Sequence, residues 1–421
     1  MRYRKRPPLT SREIVVLVGI GLAGLVIATA LIGADIQLSS LAPGGGSFFS
    51  PWGGARAFLF EDGDPYGVRI AIRAQALAHP EARPSSASLY RLDLPFFLLP
   101  LFFPFSLIPD PAVARGVWVF LCQLALPGTV FLSIRAIEWK ARRASLVALS
   151  FLGIFSLYPV AALAEGTPAV LLALGYVGIL WAIQSESDEL AGALMVLCLC
   201  MWEVGLPFLV LVVWRVFHER RWRILAGFGM TLAILLSISF LLYPGWPLPF
   251  LIASVGVIRS PHGISTSVIL LGLSPEYGAQ IAEGLTIVAV STLLYEWAAG
   301  RDSDDRRFLW IACLTLAATP MLGLRTELGN LVVLMPGVVL IAATAFQRNR
   351  SGGWLGAIVV ALTFSVPWIL FLRWFAFHDQ RAYDLLFLFL PIACLIGLYW
   401  TRWWFLRPAR TWLDEVRAVA R

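Results

Sequence analysis

Only 14% of the residues are charged, so the side chains able to do chemistry can be weighed one by one. Asp35, Asp62, Asp64 and Asp93 fall within or beside one long polar stretch. An ionised carboxylate there could take a proton from a hydroxyl, as a general base does. Arg259, His262 and Arg325 lie between later apolar runs and could meet an anion such as a phosphate through charge-assisted hydrogen bonds. Each residue also has a plainer reading. Asp35 could be a helix-end charge. Asp62-Gly63-Asp64-Pro65 is a strong turn signal. Asp93 could cap a helix. Arg325 could pair with Glu327 in a polar cluster that also holds Asn330, and His262 could be an incidental surface histidine. A second cluster, Arg373, His378, Asp379 and Arg381, reads equally as solvated loop. The five cysteines all lie in apolar runs and match no zinc or haem spacing, so no metal and no cofactor is expected.

The elements that must hold these groups are membrane helices. The chain is 59% hydrophobic over 421 residues, with a mean hydropathy of +0.77, well above a soluble domain at about 45–50% apolar. Apolar runs of about 15–22 residues separate the charged clusters, the length that crosses a bilayer as a helix. The net charge of +7 sits in short linkers beside those runs. That is a topology signal and makes no basic stripe for nucleic acid. Arg2, Arg4, Lys5, Arg6 and Arg12 precede the first run, Ile14 to Ile32, which reads as a retained anchor with its N-terminus in the cytoplasm. The further spans expected are 113–134, 144–163, 168–184, 189–202, 204–217, 223–243, 277–297, 308–322, 330–346, 354–372 and 382–400, about twelve in all. The segment 189–217 is either a hairpin turning near Glu203, Gly205 and Pro207 or one long element. The fold class is thus an all-α polytopic membrane protein of one domain, residues 1–421, with a large outer loop (35–112) and a basic cytoplasmic tail (401–421).

The outer loop carries Ser47 to Gly67, SFFSPWGGARAFLFEDGDPYG. Pro51 to Phe60 reads as a short helix on the membrane surface, with Trp52 and the phenylalanines at the interface and Arg56 reaching toward headgroups. Leu94 to Ile108 is apolar but short and contains Pro95, Pro100 and Pro104, so an interfacial or re-entrant segment is expected. Charge is sparse in the apolar runs, with Glu203 and Arg215 singled out near span ends, which argues against an ion-coupled carrier.

This layout resembles the C-type membrane glycosyltransferases, and within them the bacterial polyprenyl-phosphate-mannose-dependent α-1,2-mannosyltransferases. The residues carrying the resemblance are Phe48, Trp52, Ala55, Ala57, Gly63, Pro65 and Tyr66, then Leu94 to Ile108, then Ala191-Gly192 through Pro207 to Arg220-Arg221-Trp222-Arg223. Two positions depart from that family. Ser47 stands where it carries a catalytic Asp, and Glu203 where a Lys often precedes the proline. The resemblance implies transfer of a sugar from a polyprenyl-phosphate donor to a lipid or glycan acceptor at the outer face of the cytoplasmic membrane. Asp35 and Asp64 are then the expected catalytic residues, Asp35 as base and Asp64 on the substrate. Asp62, Asp93, Arg259, His262 and Arg325 would contact substrate. The alternatives are a transporter or flippase of lipid-linked precursors, which paired broken helices would favour, and a non-catalytic relative, which Ser47 keeps open.

Overall fold

The computed structural model describes residues 11–41, 44–81, 89–139, 141–258, 263–301, 303–348 and 353–406. Arg259, His262 and most of the basic tail expected at 401–421 lie outside the described residues. Among the described residues every element is helical, apart from an isolated antiparallel bridge between Ile264 and Thr326.

Six helices are long and apolar enough to cross a membrane, or eight if two bent pairs each count as one. Helix length therefore supports fewer crossings than the twelve expected. The other apolar runs form shorter pieces, such as Ala169–Gln184 with 16 residues and Asp305–Ala318 with 14, or are interrupted by 3-10 turns at Val196–Leu199 and Thr319–Leu322. The 189–217 segment divides into Asp188–Met195, the 3-10 turn, and Trp202–Glu219.

The most apolar window of Leu328–Gln347 is wholly buried and forms the centre of the bundle. Trp222–Leu242, Gly278–Ala299 and Trp354–Phe377 bury only 17%, 17% and 11% of their most apolar windows. Their outward faces expose Leu241, Ile287, Val288, Ile369 and Phe375. So much contiguous apolar surface is stable against lipid and not against water. The protein is a multi-pass membrane protein.

The two ends of the bundle differ in chemistry. At one end, cations of the inter-helix linkers are paired. Arg306 meets Glu138 at 3.1 Å, Arg215 meets Asp305 and Glu219 at 2.7 Å, and Arg221 meets Asp188. Arg402 meets Glu296 in a bidentate pair at 2.8 and 3.0 Å. These contacts bring the linkers after residues 136, 184, 219 and 299 to a common end. Arg215, one of the two charges noted within the spans, is thus consumed by ion pairs and by the Phe308 ring at 4.0 Å.

At the opposite end the first loop folds into the protein. Gly46–Phe60 is helical as expected, but it does not lie on the surface: Phe48 and Trp52 are fully buried. The Trp52 indole donates to the Phe105 carbonyl at 3.1 Å, and Phe48 stacks on Trp118 at 5.8 Å. Burying these rings removes more apolar area from water than an interfacial position would. Arg56 donates to the Ser106 carbonyl at 3.0 Å instead of reaching headgroups. The proline-rich run becomes a 3-10 turn, Phe96–Phe102, and one helical turn, Phe103–Ser106, together too short to cross a bilayer. Asp110 caps the next helix, Pro111–Ala136, accepting from Ala112 and Val113 at 2.8 and 3.1 Å.

Candidate functional site

The loop-rich end encloses a cavity of about 110 Å³. It is lined by Ser47, Arg91, Asp93, Glu203, Arg325 and Glu327, among others. That is well under the ~300 Å³ of pockets that swallow a drug-sized ligand, so it suits the reacting end of a larger molecule.

Local sequence explains how these residues meet. The chain enters the loop through Gly44 and Gly45, at φ of +116° and +84°. A side chain at Gly46 would overlap the Tyr90 ring, so glycine lets the N-terminus of the Gly46–Phe60 helix press against the 89–94 segment. That close approach sets Ser47 beside the cavity. On the far wall, Ile264 and Thr326 exchange backbone hydrogen bonds at 2.8 and 2.9 Å, pinning the 323–330 loop. Asn330 continues the anchorage, receiving the Thr167 hydroxyl at 2.6 Å and donating to the Thr326 hydroxyl at 3.0 Å. The Gly329 amide donates to Glu165 at 3.1 Å.

The result is a direct bond across the chain: the Ser47 hydroxyl donates to the Glu327 carboxylate at 2.7 Å. Ser47 is thus served by an acid 280 residues away along the chain. Burial raises the Glu327 carboxyl above its ordinary range, and the Ser47 hydrogen bond partly offsets this. Burial also pushes Asp93 up to about 6, with the negative charge of Glu327 adding to the shift. Both acids therefore hold protons more tightly than surface carboxylates, which makes them better bases once ionised. Arg325 is exposed at the rim and Arg91 is half-buried. The arrangement can take a proton from a hydroxyl and offer positive charge to a departing anion.

The expected site residues divide accordingly. Asp93 and Arg325 line the cavity, and Asp93 makes no capping bond to the helical turn that follows it. Asp35, Asp62 and Asp64 do not line it. Asp35 is buried in the first helix, Ser11–Leu41, where one oxygen accepts from Gln123 at 2.9 Å. Asp62 adopts a positive φ of 46° in the turn. Asp64 accepts from the Tyr66 amide at 3.0 Å and the Tyr243 hydroxyl at 3.3 Å, so it shapes the turn. Tyr66 in turn donates to the Leu94 carbonyl at 2.9 Å, next to Asp93. Glu165 was missed by sequence reasoning. Its signal is the Glu165-Gly166-Thr167-Pro168 break between two apolar runs. Glu203 and Glu327 were visible in the sequence, Glu203 near a span end and Glu327 as a partner for Arg325, but not as sharing a cavity with Asp93.

Compared with protein-family models, with curated proteins and with solved structures, the chain has no match.

Proposed function

We propose that the chain is a membrane glycosyltransferase that moves a sugar from a polyprenyl-phosphate donor to a hydroxyl of a lipid or glycan acceptor. The observation that carries this reading is the Ser47–Glu327 hydrogen bond in a cavity shared with Asp93 and Arg325. Glu327 is the base. Its carboxylate takes the acceptor proton as the acceptor oxygen bonds to the anomeric carbon. The bond from that carbon to the phosphate oxygen breaks, and its electron pair leaves with the phosphate. Arg325 meets that charge at the rim, with Arg91 behind it. Ser47 holds the carboxylate in place. Asp93 lies beside the base as a second carboxylate to orient sugar hydroxyls.

The proposal includes about twelve spans, several of them short or broken, in the cytoplasmic membrane. The end rich in paired arginines is cytoplasmic by the positive-inside rule, as are both termini. The cavity then faces outward, and the donor enters from the bilayer beside Phe96–Ser106.

The test uses the purified full chain in proteoliposomes with polyprenyl-phosphate mannose, glucose or arabinose, radiolabelled in the sugar. Release or transfer of label is followed. One of these donors is expected to be consumed, and Glu327→Gln is expected to slow consumption by about 100-fold or more, the usual worth of a general base. Wild-type chain that consumes none of them, yet moves the labelled lipid between leaflets, would replace this reading with the transporter.

A further inference from the structure

A second cavity lies at the arginine-rich end, between the Arg143–Phe155 and Trp354–Phe377 helices, with a volume of about 990 Å³. Its walls follow from residue spacing. Ala144, Ala148, Phe151 and Leu152 repeat at the three- and four-residue intervals of one helix face, and Gly353, Ala357, Ala361 and Phe364 do the same on the other. The small residues on both faces are too short to meet, so a slot remains, closed at depth where the Phe151 and Phe364 rings lie 5.6 Å apart. Trp139, stacked on Phe346 at 5.7 Å, forms part of its lining.

The slot changes character along its length. Arg142, Ser145 and Gln347 stand at the mouth, while Phe151, Val360 and Phe364 lie deeper. From residue 142 to 152 the wall rises about 15 Å, at about 1.5 Å per residue. That is the hydrocarbon depth of one leaflet in a bilayer about 30 Å thick. Glu138 also borders the slot, but its carboxylate is paired with Arg306 at 3.1 Å. Arg142 is exposed and makes no ion pair among the described residues. Among the described residues the mouth therefore offers Arg142 as an unspent cation above an apolar channel.

We infer that this slot holds an acyl chain of an anionic phospholipid from the leaflet at that end, with the lipid phosphate against Arg142 and the Ser145 hydroxyl. A free anion would leave the apolar walls unfilled. A zwitterionic lipid would fill them but bring no net charge to the cation. The inference does not depend on the transferase reading, because the slot shares no residue with the carboxylate cavity.

The experiment equilibrates the purified full chain with mixed vesicles of phosphatidylglycerol and phosphatidylcholine, re-extracts it in mild detergent, and counts retained lipids by mass spectrometry. Phosphatidylglycerol is expected to be retained in preference. Arg142→Gln should lower that preference about fivefold, the worth of one cation near an anionic surface, and Arg142→Lys should keep it. Ala148→Trp, or Ala361→Phe on the other wall, should fill the slot and reduce retention of both lipids. Arg223→Gln makes the same charge change at the same end, outside the slot, and should leave the preference unchanged. Equal losses in Arg142→Gln and Arg223→Gln would overturn the inference, because general surface attraction would then account for retention. Undiminished retention in both slot-filling variants would overturn it as well.

Discussion

At the scale of single residues, the Ser47–Glu327 pair makes the sharpest predictions. If Glu327 is the base, Asp35→Asn and Asp64→Asn should keep more than about a tenth of activity while Glu327→Gln loses about 100-fold. Sugar transfer by the four proteins in parallel checks this, and equal losses in all three variants would remove Glu327 from its role. The double exchange Ser47→Asp with Glu327→Gln should recover part of the rate lost in Glu327→Gln alone, because it returns a carboxylate to the same spot. The pH dependence follows from the raised carboxyls. Transfer should fall as the pH drops through the raised range of these carboxyls, about 6 for Asp93, with burial holding Glu327 above its ordinary value as well. Stability runs the opposite way. Asp93 holds its proton more tightly folded than unfolded, so its contribution is fully present below the unfolded carboxylate value and is lost as the pH rises through about 6. Rate and thermal midpoint measured over the same pH series should therefore move in opposite directions.

At the scale of elements, close backbone approach sets the cavity walls. A Cβ at Gly329 would come within 2.8 Å of Ala162 backbone atoms and overlap the Glu165 carboxylate. Gly329→Ala should force the 323–330 loop outward and cost about 1–3 kcal/mol of stability, the usual range for overpacking. Thermal unfolding in detergent would measure it, and an unchanged midpoint would mean the loop has room to shift. The turn at 61–67 behaves differently. Asp64→Ala removes a hydrogen bond to the Tyr66 amide, worth about 1 kcal/mol, and loosens the segment that leads to Asp93. Helices and turns of this kind were legible from composition. The proline-rich segment is broken as missing backbone donors require, and a turn forms at the end of the Asp-Gly-Asp-Pro sequence, at Pro65 and Tyr66, where the Gly67 amide donates to the Asp64 carbonyl at 3.0 Å. The burial of Phe48 and Trp52 was not legible, because an aromatic helix reads alike whether lipid headgroups or protein rings cover it.

At the scale of the whole molecule, the contrast between ends predicts topology. Single cysteines at Gly63 and Arg142 should label from opposite sides of the membrane with an impermeant reagent. Labelling from one side would remove the outward placement of the carboxylate cavity. Sequence by itself determined that the chain is helical and membrane-borne, because 59% apolar residues in long runs leave water no tolerable alternative. It also marked the charged linkers, since charges kept out of hydrocarbon must gather at helix ends. It could not determine which acids share a cavity. Asp35 and Asp93 look equivalent as letters, yet one faces Gln123 inside the bundle and the other faces the cavity. Nor could it join Ser47 to Glu327. That contact depends on a glycine yielding to Tyr90, a backbone bridge at Thr326 and the packing of distant helices, and only the folded chain brings these together.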